Sequence, residues 1–238
     1  MGNGTVASFQ LFGLTFSVAN LVSGAIVFLL AIIFVIATTR HITMRPSKGQ
    51  NVIEWLIDFT NGVLKGNLPA NEVRGYGLWG FTLFIFIFLS NQLGLFFNLM
   101  INGKAIVRSP TSDPVVTLTM SLMTVVFANY SSIRRWGTKG YLTSFVKPFW
   151  FFFPINIFEE LSSFLTLGLR IFGIIYSGEV LLEMIWQLAE SHGILTMALS
   201  LPIEMIWQGF SAFLGAIQAY VFIMLSSVYI GRKLQEED

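Results

Sequence analysis

Long apolar runs alternate with short charged segments along this chain, and the alternation predicts its elements. Asn20 to Thr39 carries no charge and is about 20 residues long, which lets a helix cross about 30 Å of hydrocarbon. Similar uncharged runs lie at 78–100 and 114–133. We predict a transmembrane helix over each of these three runs, after a short extramembrane segment at residues 1–19.

The last two apolar runs, 148–190 and 193–231, are too long for ordinary membrane spans. As helices they would measure about 64 and 58 Å, so they must tilt steeply, break, or lie partly in the membrane plane. We therefore predict an all-α polytopic membrane protein that forms a single membrane domain over residues 1–238. It has about five membrane crossings, and its last two helices form a long, steeply tilted helical hairpin that turns at Ser191 to Leu201.

Polar positions refine this pattern in two places. Apolar residues recur at helical spacing from Val52 to Leu64, which predicts an amphipathic interfacial helix within an inner loop at residues 40–74. Within the second span, we expect Asn91, Gln92 and Asn98 to bond to neighbouring helices.

Composition agrees with a membrane protein and excludes several other classes. The 238 residues are 54% hydrophobic and 11% charged, with a mean hydropathy of +0.71. A soluble domain carries about 25% charged residues. The formal net charge of +1 suggests no nucleic-acid role. The chain has no cysteine, which excludes disulfides and thiolate metal sites, and we expect no metal and no cofactor.

The loop charges predict which side of the membrane each loop faces. Residues 40–74 carry five Lys or Arg, residues 134–147 carry four, and the C-terminal end adds two. Of the intervening loops, residues 103–113 carry two Lys or Arg, and residues 188–200 carry no Lys or Arg. By the positive-inside rule, the N-terminus lies outside and the C-terminus is cytoplasmic.

A single arginine, Arg170, stands inside the fourth apolar run, with no other charge between Glu160 and Glu179. A cation in the middle of a membrane helix costs about 2.5–3.5 kcal/mol, and arginine does not deprotonate in proteins. The charge needs compensation, and we expect a carboxylate on a partner to supply it. The alternative is a structural ion pair within the chain.

Three runs of sequence carry a resemblance to a known family. The run around Arg170 reads LTLGLRIFG and is followed by SGE. The run from Arg108 to Leu122 reads RSPTSDPVVTLTMSL, and the run from Gly215 to Tyr229 reads GAIQAYVFIMLSSVY. Together they resemble the signature of subunit a of F-type ATP synthases, over most of the chain from about residue 75 onward. The arginine-centred motif is specific, and three motifs in the right order argue against a chance match.

The resemblance implies that the chain is the stator subunit a of the Fo sector. By this resemblance the subunit would form two offset proton half-channels and, with Arg170 as a fixed cation, exchange protons with the carboxylates of a rotating c-ring, coupling proton translocation to ATP synthesis. The resemblance also implies proton-path roles for Glu179 and Gln218. The partners would be the c-ring rotor subunits, the stator b subunits and the remainder of the F1Fo complex. Two positions depart from the family pattern, since Ser211 replaces a titrating residue and Ile174 replaces an asparagine.

An outer proton path is expected between the last two helices. Glu179 and Glu183 lie on the face of their helix opposite Arg170. The last helix carries one polar stripe on the side that we expect to face them: Glu204, Gln208, Ser211 and Gln218. Because serine does not titrate, Glu204 or Glu183 is expected to replace the missing group. The alternative for the stripe is interhelical hydrogen bonding alone.

An inner proton path is expected before Arg170, toward the basic cytoplasmic loop. Its candidates are the polar residues that precede the arginine: Asn156, Glu159, Glu160, Ser163 and Thr166. The alternative for Glu159 and Glu160 is that they are ordinary solvated charges at the interface. Ile174 makes the helix less polar after Arg170, which weakens a role for that position in the inner path.

Other classes of function fit the sequence less well. A multi-pass membrane enzyme using Glu179, Glu183 and Arg170 on a lipid would need a phosphate-binding or metal-binding cluster, and we find none. A structural membrane anchor without transport leaves the polar stripes unexplained. We expect a subunit that is not an enzyme on its own, embedded in the lipid bilayer of a bacterial cell membrane. Protons are the expected ion, although the choice between proton and sodium is open.

Overall fold

The fold is seen in a computed structural model that describes residues 8–11, 14–40, 43, 48–96, 99–101, 104–144, 149–191 and 193–235. The long elements within these ranges are helices: α1 (Val18–Thr39), α2 (Lys48–Lys65), α3 (Val73–Phe96), α4 (Pro114–Ser144), α5 (Phe153–Ser191) and α6 (Ile194–Gln235). Of these described helices, all but α2 are long and apolar enough to cross a membrane. The prediction of an all-α polytopic membrane protein with about five crossings is confirmed.

Two short antiparallel hairpins accompany the helices. β1 (Ser8–Leu11) pairs with β2 (Leu14–Ser17), just before α1. β3 (Leu99–Ile101) pairs with β4 (Lys104–Val107), between α3 and α4, with an irregular register at Leu99 and Met100. Neither hairpin was predicted, because strands of three or four residues are too short to show a period-two pattern.

Local signals fix where the long helices begin and end. Pro114 is the first residue of α4, where a missing backbone N–H is tolerated, and Asp113 Oδ1 accepts a hydrogen bond from the Val115 N–H at 2.8 Å. Between α5 and α6, Gly193 has a φ of 83°, a conformation that glycine adopts without a steric penalty. This residue lets α6 begin at Ile194, directly after the end of α5.

Helix α4 extends beyond the predicted third span at 114–133. It continues to Ser144 and includes most of the segment that we expected to be a basic loop. Its charged side chains are exposed, so they do not need to leave the helix to reach water. The helix is interrupted only at Gly137, whose φ of 74° and ψ of 169° break the regular backbone.

The chain divides into two units, and each membrane-spanning helix contributes residues to both. The first unit comprises Met1–Phe34, Ile85–Val116 and Ile171–Ala219. The second unit comprises Val35–Phe84, Thr117–Arg170 and Tyr220–Asp238.

Amide side chains tie α3 to α6 within the first unit. Asn91 Nδ2 donates to the Gly215 carbonyl at 2.9 Å, and Gln92 Nε2 donates to the Ala212 carbonyl at 3.0 Å. The expectation that Asn91 and Gln92 bond to a neighbouring helix is confirmed, and Asn98 lies outside the described residues. Such bonds satisfy polar groups that lipid could not solvate.

Aromatic packing and a close helix approach organise the second unit. The ring of Phe59 on α2 lies 5.7 Å from the rings of both Phe84 on α3 and Tyr220 on α6. Helices α4 and α5 approach at Gly168, where an added Cβ would lie only 3.1 Å from the Leu118 Cα. A small residue at this position therefore lets the two backbones come together.

Candidate functional site

Arg170 lies on α5 in the second unit, with its side chain partly exposed. It lines an open groove of about 480 Å³ together with other side chains of the same helix: Phe158, Leu161, Ser162, Leu165, Thr166 and Leu169. Among the described residues of its own unit, none forms an ion pair or a hydrogen bond with the guanidinium. The groove therefore presents a cation that a carboxylate from another chain can approach.

The second unit has two more cavities, and only the first of them shares lining residues with this groove. The middle cavity, about 310 Å³, shares three lining residues with the groove. The third, about 100 Å³, shares Glu159, Ser163 and Tyr229 with the middle cavity and also contacts Glu160. A series of adjoining cavities thus leads from Glu160 to Arg170.

The third cavity contains two acid–base pairs. Glu159 pairs with Arg232 NH1 at 3.1 Å, and Glu160 pairs with Lys233 Nζ at 3.7 Å. Glu160 also accepts a hydrogen bond from Asn129 Nδ2. The five residues predicted for the inner path all line this series of cavities: Asn156, Glu159, Glu160, Ser163 and Thr166.

Glu179 lies on α5 in the first unit and forms an ion pair with Arg108. Arg108 Nε and NH2 both donate to Oε2 of Glu179, at 3.1 and 2.9 Å. The side chains of Arg108 and Glu179 are 35% and 18% exposed. The two donors hold one oxygen of the carboxylate, and the side chain of Ser112 also interacts with this group.

The segment that carries Arg108 is anchored to two helices of the first unit. The backbone N–H of Arg108 donates to Ser23 Oγ on α1 at 3.1 Å, and Ser109 Oγ donates to the Ser90 carbonyl on α3 at 3.0 Å. An added Cβ at Gly94 would lie 2.9 Å from the Ser109 nitrogen, so a glycine there allows the segment to pack against α3. These bonds hold the position from which Arg108 reaches Glu179.

The polar stripe of α6 is partly buried in the first unit. Ser211 is buried and lines a cavity of about 30 Å³ with Ser177, Gly178 and Trp207, which is room for about two water molecules. Among the described residues, neither Ser211 Oγ nor Gln218 Nε2 has a hydrogen-bond partner, although both are buried. These are polar groups in the interior that remain free to bind water or a partner.

The other predicted outer residues have more ordinary surroundings. Gln208 Nε2 donates to the Leu95 carbonyl at 3.0 Å, which is interhelical hydrogen bonding. Glu183 is exposed and Glu204 is half-buried, and neither forms an ion pair with a described residue. The described residues contain no group of three or more His, Cys, Asp or Glu able to hold a metal ion.

Sequence reasoning missed the partners of the buried carboxylates. Arg108 lies 71 positions before Glu179, and Asn129 lies 31 positions before Glu160. Helical periodicity relates only residues that are a few positions apart, so it contains no signal for these contacts. The one available hint was that Arg108 begins the RSPTSDP run, where a charge adjoins several small polar residues.

Within the described residues, five apolar helices are long enough to span a membrane, and they carry several partly buried charged side chains, which defines a multi-pass membrane protein of the kind that moves ions. Comparison with known proteins then gives the family. Residues 20–231 match the family described as ATP synthase A chain, and the chain belongs to that family.

Several bacterial relatives are similar over most of their length. The ATP synthase subunit a of Limosilactobacillus fermentum is 52% identical over 234 residues, which cover 98% of this chain and 99% of the relative. That of Pediococcus pentosaceus is 47% identical over 238 residues and covers all of both chains. That of Enterococcus faecalis is 44% identical over 207 residues, covering 86% of this chain and 87% of the relative.

Proposed function

We propose that this chain is the proton-conducting stator subunit of a rotary ATP synthase and that Arg170 is its gate. The observation that carries the proposal is the guanidinium of Arg170, which has no ion pair with a described residue of its own unit and lines an open groove on a membrane-spanning helix. A cation in a membrane helix is costly, and a carboxylate on a rotor subunit would offset that cost. The family membership supports the assignment to a stator subunit.

Arg170 would act by electrostatics alone. At about 4 Å and an effective dielectric constant near 20, a charge pair is worth about 4 kcal/mol. A rotor carboxylate that reaches Arg170 must therefore be ionised, so it releases its proton on one side and takes another from the other side. Each proton that crosses 100 mV supplies about 2.3 kcal/mol, and the fixed cation keeps the two paths from joining.

The inner path would follow the series of cavities in the second unit. These cavities adjoin one another from Glu160 to Arg170, and Glu159, Ser163 and Thr166 line them between these two ends. Carboxylates and hydroxyl groups at this spacing can order water and exchange protons. The continuity of the lining residues supports this route over the alternative of isolated surface charges.

The outer path would use Glu179 and the polar stripe of α6. Glu179 is mostly buried, and the unsatisfied Ser211 hydroxyl and Gln218 amide lie on α6 in the same unit. Because Ser211 does not titrate, Glu204 or Glu183 would supply the second titrating group. Gln208 would have a structural role, since its amide donates a hydrogen bond to the Leu95 carbonyl.

The chain would not be an enzyme on its own. It would assemble with the c-ring, the stator b subunits and the remainder of the F1Fo complex, in which other subunits handle ATP. The bacterial relatives and the spanning helices support a place in a bacterial cell membrane. The loop charges support an N-terminus outside and a cytoplasmic C-terminus.

The test is ATP-driven proton uptake into inverted membrane vesicles, comparing the parent with Arg170→Ala. We expect uptake to fall to background while the assembled complex keeps its ATPase activity. Passive proton leak is expected to rise, because the barrier between the two paths has been removed. Arg74→Ala is the matched control, since Arg74 is an exposed arginine without an ion pair to any described residue.

Each outcome decides something definite. Normal uptake by Arg170→Ala would reduce the arginine to a structural role, overturn the two proposed half-channels, and leave a membrane anchor of unknown purpose. Loss of uptake in Arg74→Ala to the same extent would show that the assay reports general damage. Only a loss confined to Arg170→Ala, with complex assembly intact, supports the gate.

A further inference from the structure

Arg108 is a charged residue that the proposed function does not use, although it contacts a residue of the proposed outer path. Both of its hydrogen bonds go to the same oxygen, Oε2 of Glu179, from Nε at 3.1 Å and from NH2 at 2.9 Å. No bond from the guanidinium to Oε1 is found among the described residues, and the side chain of Ser112 also interacts with this carboxylate. Both side chains are more than half buried, so water competes weakly for the pair.

We propose that Arg108 is a positioning residue for Glu179, holding Oε2 in place so that Oε1 is the oxygen that exchanges protons with the outer path. A proton from water on the outer side binds Oε1 of the ionised Glu179, and it later leaves Oε1 for an ionised rotor carboxylate, which restores the Glu179 carboxylate. Arg108 keeps its own protons throughout, because the guanidinium does not deprotonate in proteins. This inference rests on the proposed function, since it takes Glu179 to be a proton carrier.

The surroundings of Arg108 are built to hold it still. Its backbone is bonded to the fully buried Ser23 hydroxyl on α1, and the next residue, Ser109, is bonded to the Ser90 carbonyl on α3. Ser109 and Thr111 are themselves fully buried. A side chain that starts from such a fixed backbone loses little further freedom when it binds a carboxylate, which is the requirement for precise positioning.

The experiment measures proton uptake in inverted vesicles for Arg108→Ala, Arg108→Lys and Glu179→Gln, each divided by the amount of assembled complex. We expect Arg108→Ala to lower the rate per complex about tenfold, because a carboxylate that is misplaced by about 1 Å transfers protons poorly. Arg108→Lys should recover part of the rate, because lysine supplies the charge but not the two-donor fork. Passive proton conductance of membranes stripped of the ATPase sector should follow the same order.

Arg135→Ala is the matched control. Arg135 pairs with Glu72 at 3.2 Å, and its side chain is 34% exposed, against 35% for Arg108. This variant loses a comparable ion pair outside the proposed paths, and we expect its rate per complex to stay within about twofold of the parent, as for most surface substitutions.

The outcomes separate this inference from the proposed function. A normal rate per complex in Arg108→Ala, even with less complex assembled, would reduce Arg108 to a structural role and overturn the inference. A parent-like rate in Arg108→Lys would also overturn it, because charge alone would then suffice. Normal uptake by Glu179→Gln would instead remove Glu179 from the outer path, whatever Arg108 does.

Discussion

Two adjacent carboxylates on α5, Glu159 and Glu160, have different surroundings in the same cavity. The side chain of Glu159 is 62% exposed and pairs with an equally exposed Arg232. The side chain of Glu160 is 20% exposed and contacts both Lys233 and Asn129. An exposed ion pair contributes about 0.2–1 kcal/mol, whereas a mostly buried carboxylate depends on its partners. We therefore expect the proposed inner path to depend more on Glu160 than on Glu159.

We predict that Glu160→Gln lowers ATP-driven proton uptake about tenfold per assembled complex, as expected for the loss of a group that takes and releases protons. Glutamine keeps the size of the side chain and can still accept from Asn129, but it cannot ionise. Glu159→Gln should have the smaller effect. The rates are compared by quenching of a pH-sensitive dye in inverted vesicles. Equal losses in the two variants would show that burial does not separate their roles.

At the scale of the elements, one buried amide joins α3 and α6 to the segment before α4. Asn91 is fully buried, donates to the Gly215 carbonyl at 2.9 Å, and accepts from Thr111 Oγ1 at 2.7 Å. An added Cβ at Gly215 would lie 3.2 Å from the Asn91 Cβ, so the two helices are already in close contact. The position of the α6 stripe within the first unit depends on this contact.

We predict that Asn91→Ala destabilises the protein by about 1–3 kcal/mol, because it removes the buried hydrogen bonds of the amide to the Gly215 carbonyl and to the Thr111 hydroxyl. That hydroxyl then keeps only Ser109 Oγ as a partner among the described residues. The measurement is the thermal denaturation midpoint of the purified complex in detergent. Thr82→Ala on the same helix is the control, because among the described residues its hydroxyl bonds to the Leu78 carbonyl of its own helix and to no other helix. A fall in midpoint as large for Thr82→Ala as for Asn91→Ala would contradict the explanation.

Elements were more predictable from the sequence than contacts were. An uninterrupted apolar run in the sequence predicts a helix such as α1, because a backbone in the membrane has few alternatives to a helix. The continuation of α4 past Ile133 was missed because a charged segment was read as a loop, although an exposed helix carries charges equally well. The pairing of Arg108 with Glu179 was missed because it exists only once the tertiary structure brings distant segments together.

At the scale of the whole molecule, the charged residues between the spans are distributed unevenly. The segments around α2 and at the C-terminal end of α4 are rich in Lys and Arg, whereas the connection between α5 and α6 has none. Cationic loops are retained on the cytoplasmic side during insertion. This asymmetry is the basis for the proposed orientation, and it can be tested without disturbing either proton path.

We predict that positions 139 and 190 lie on opposite sides of the membrane. The chain has no cysteine, so Lys139→Cys and Glu190→Cys each introduce a single thiol, and the parent is an unlabelled control. Both positions are exposed, one near the end of α4 and one in the last turn of α5. A membrane-impermeant maleimide should label Glu190→Cys in intact cells and Lys139→Cys only in inverted vesicles, because the basic segment stays cytoplasmic. The reverse pattern of labelling would mean that the protein has the opposite orientation, and it would assign the cavities around Glu160 to the outer path. Labelling of both cysteines from the same side would mean that the chain crosses the membrane an even number of times between positions 139 and 190.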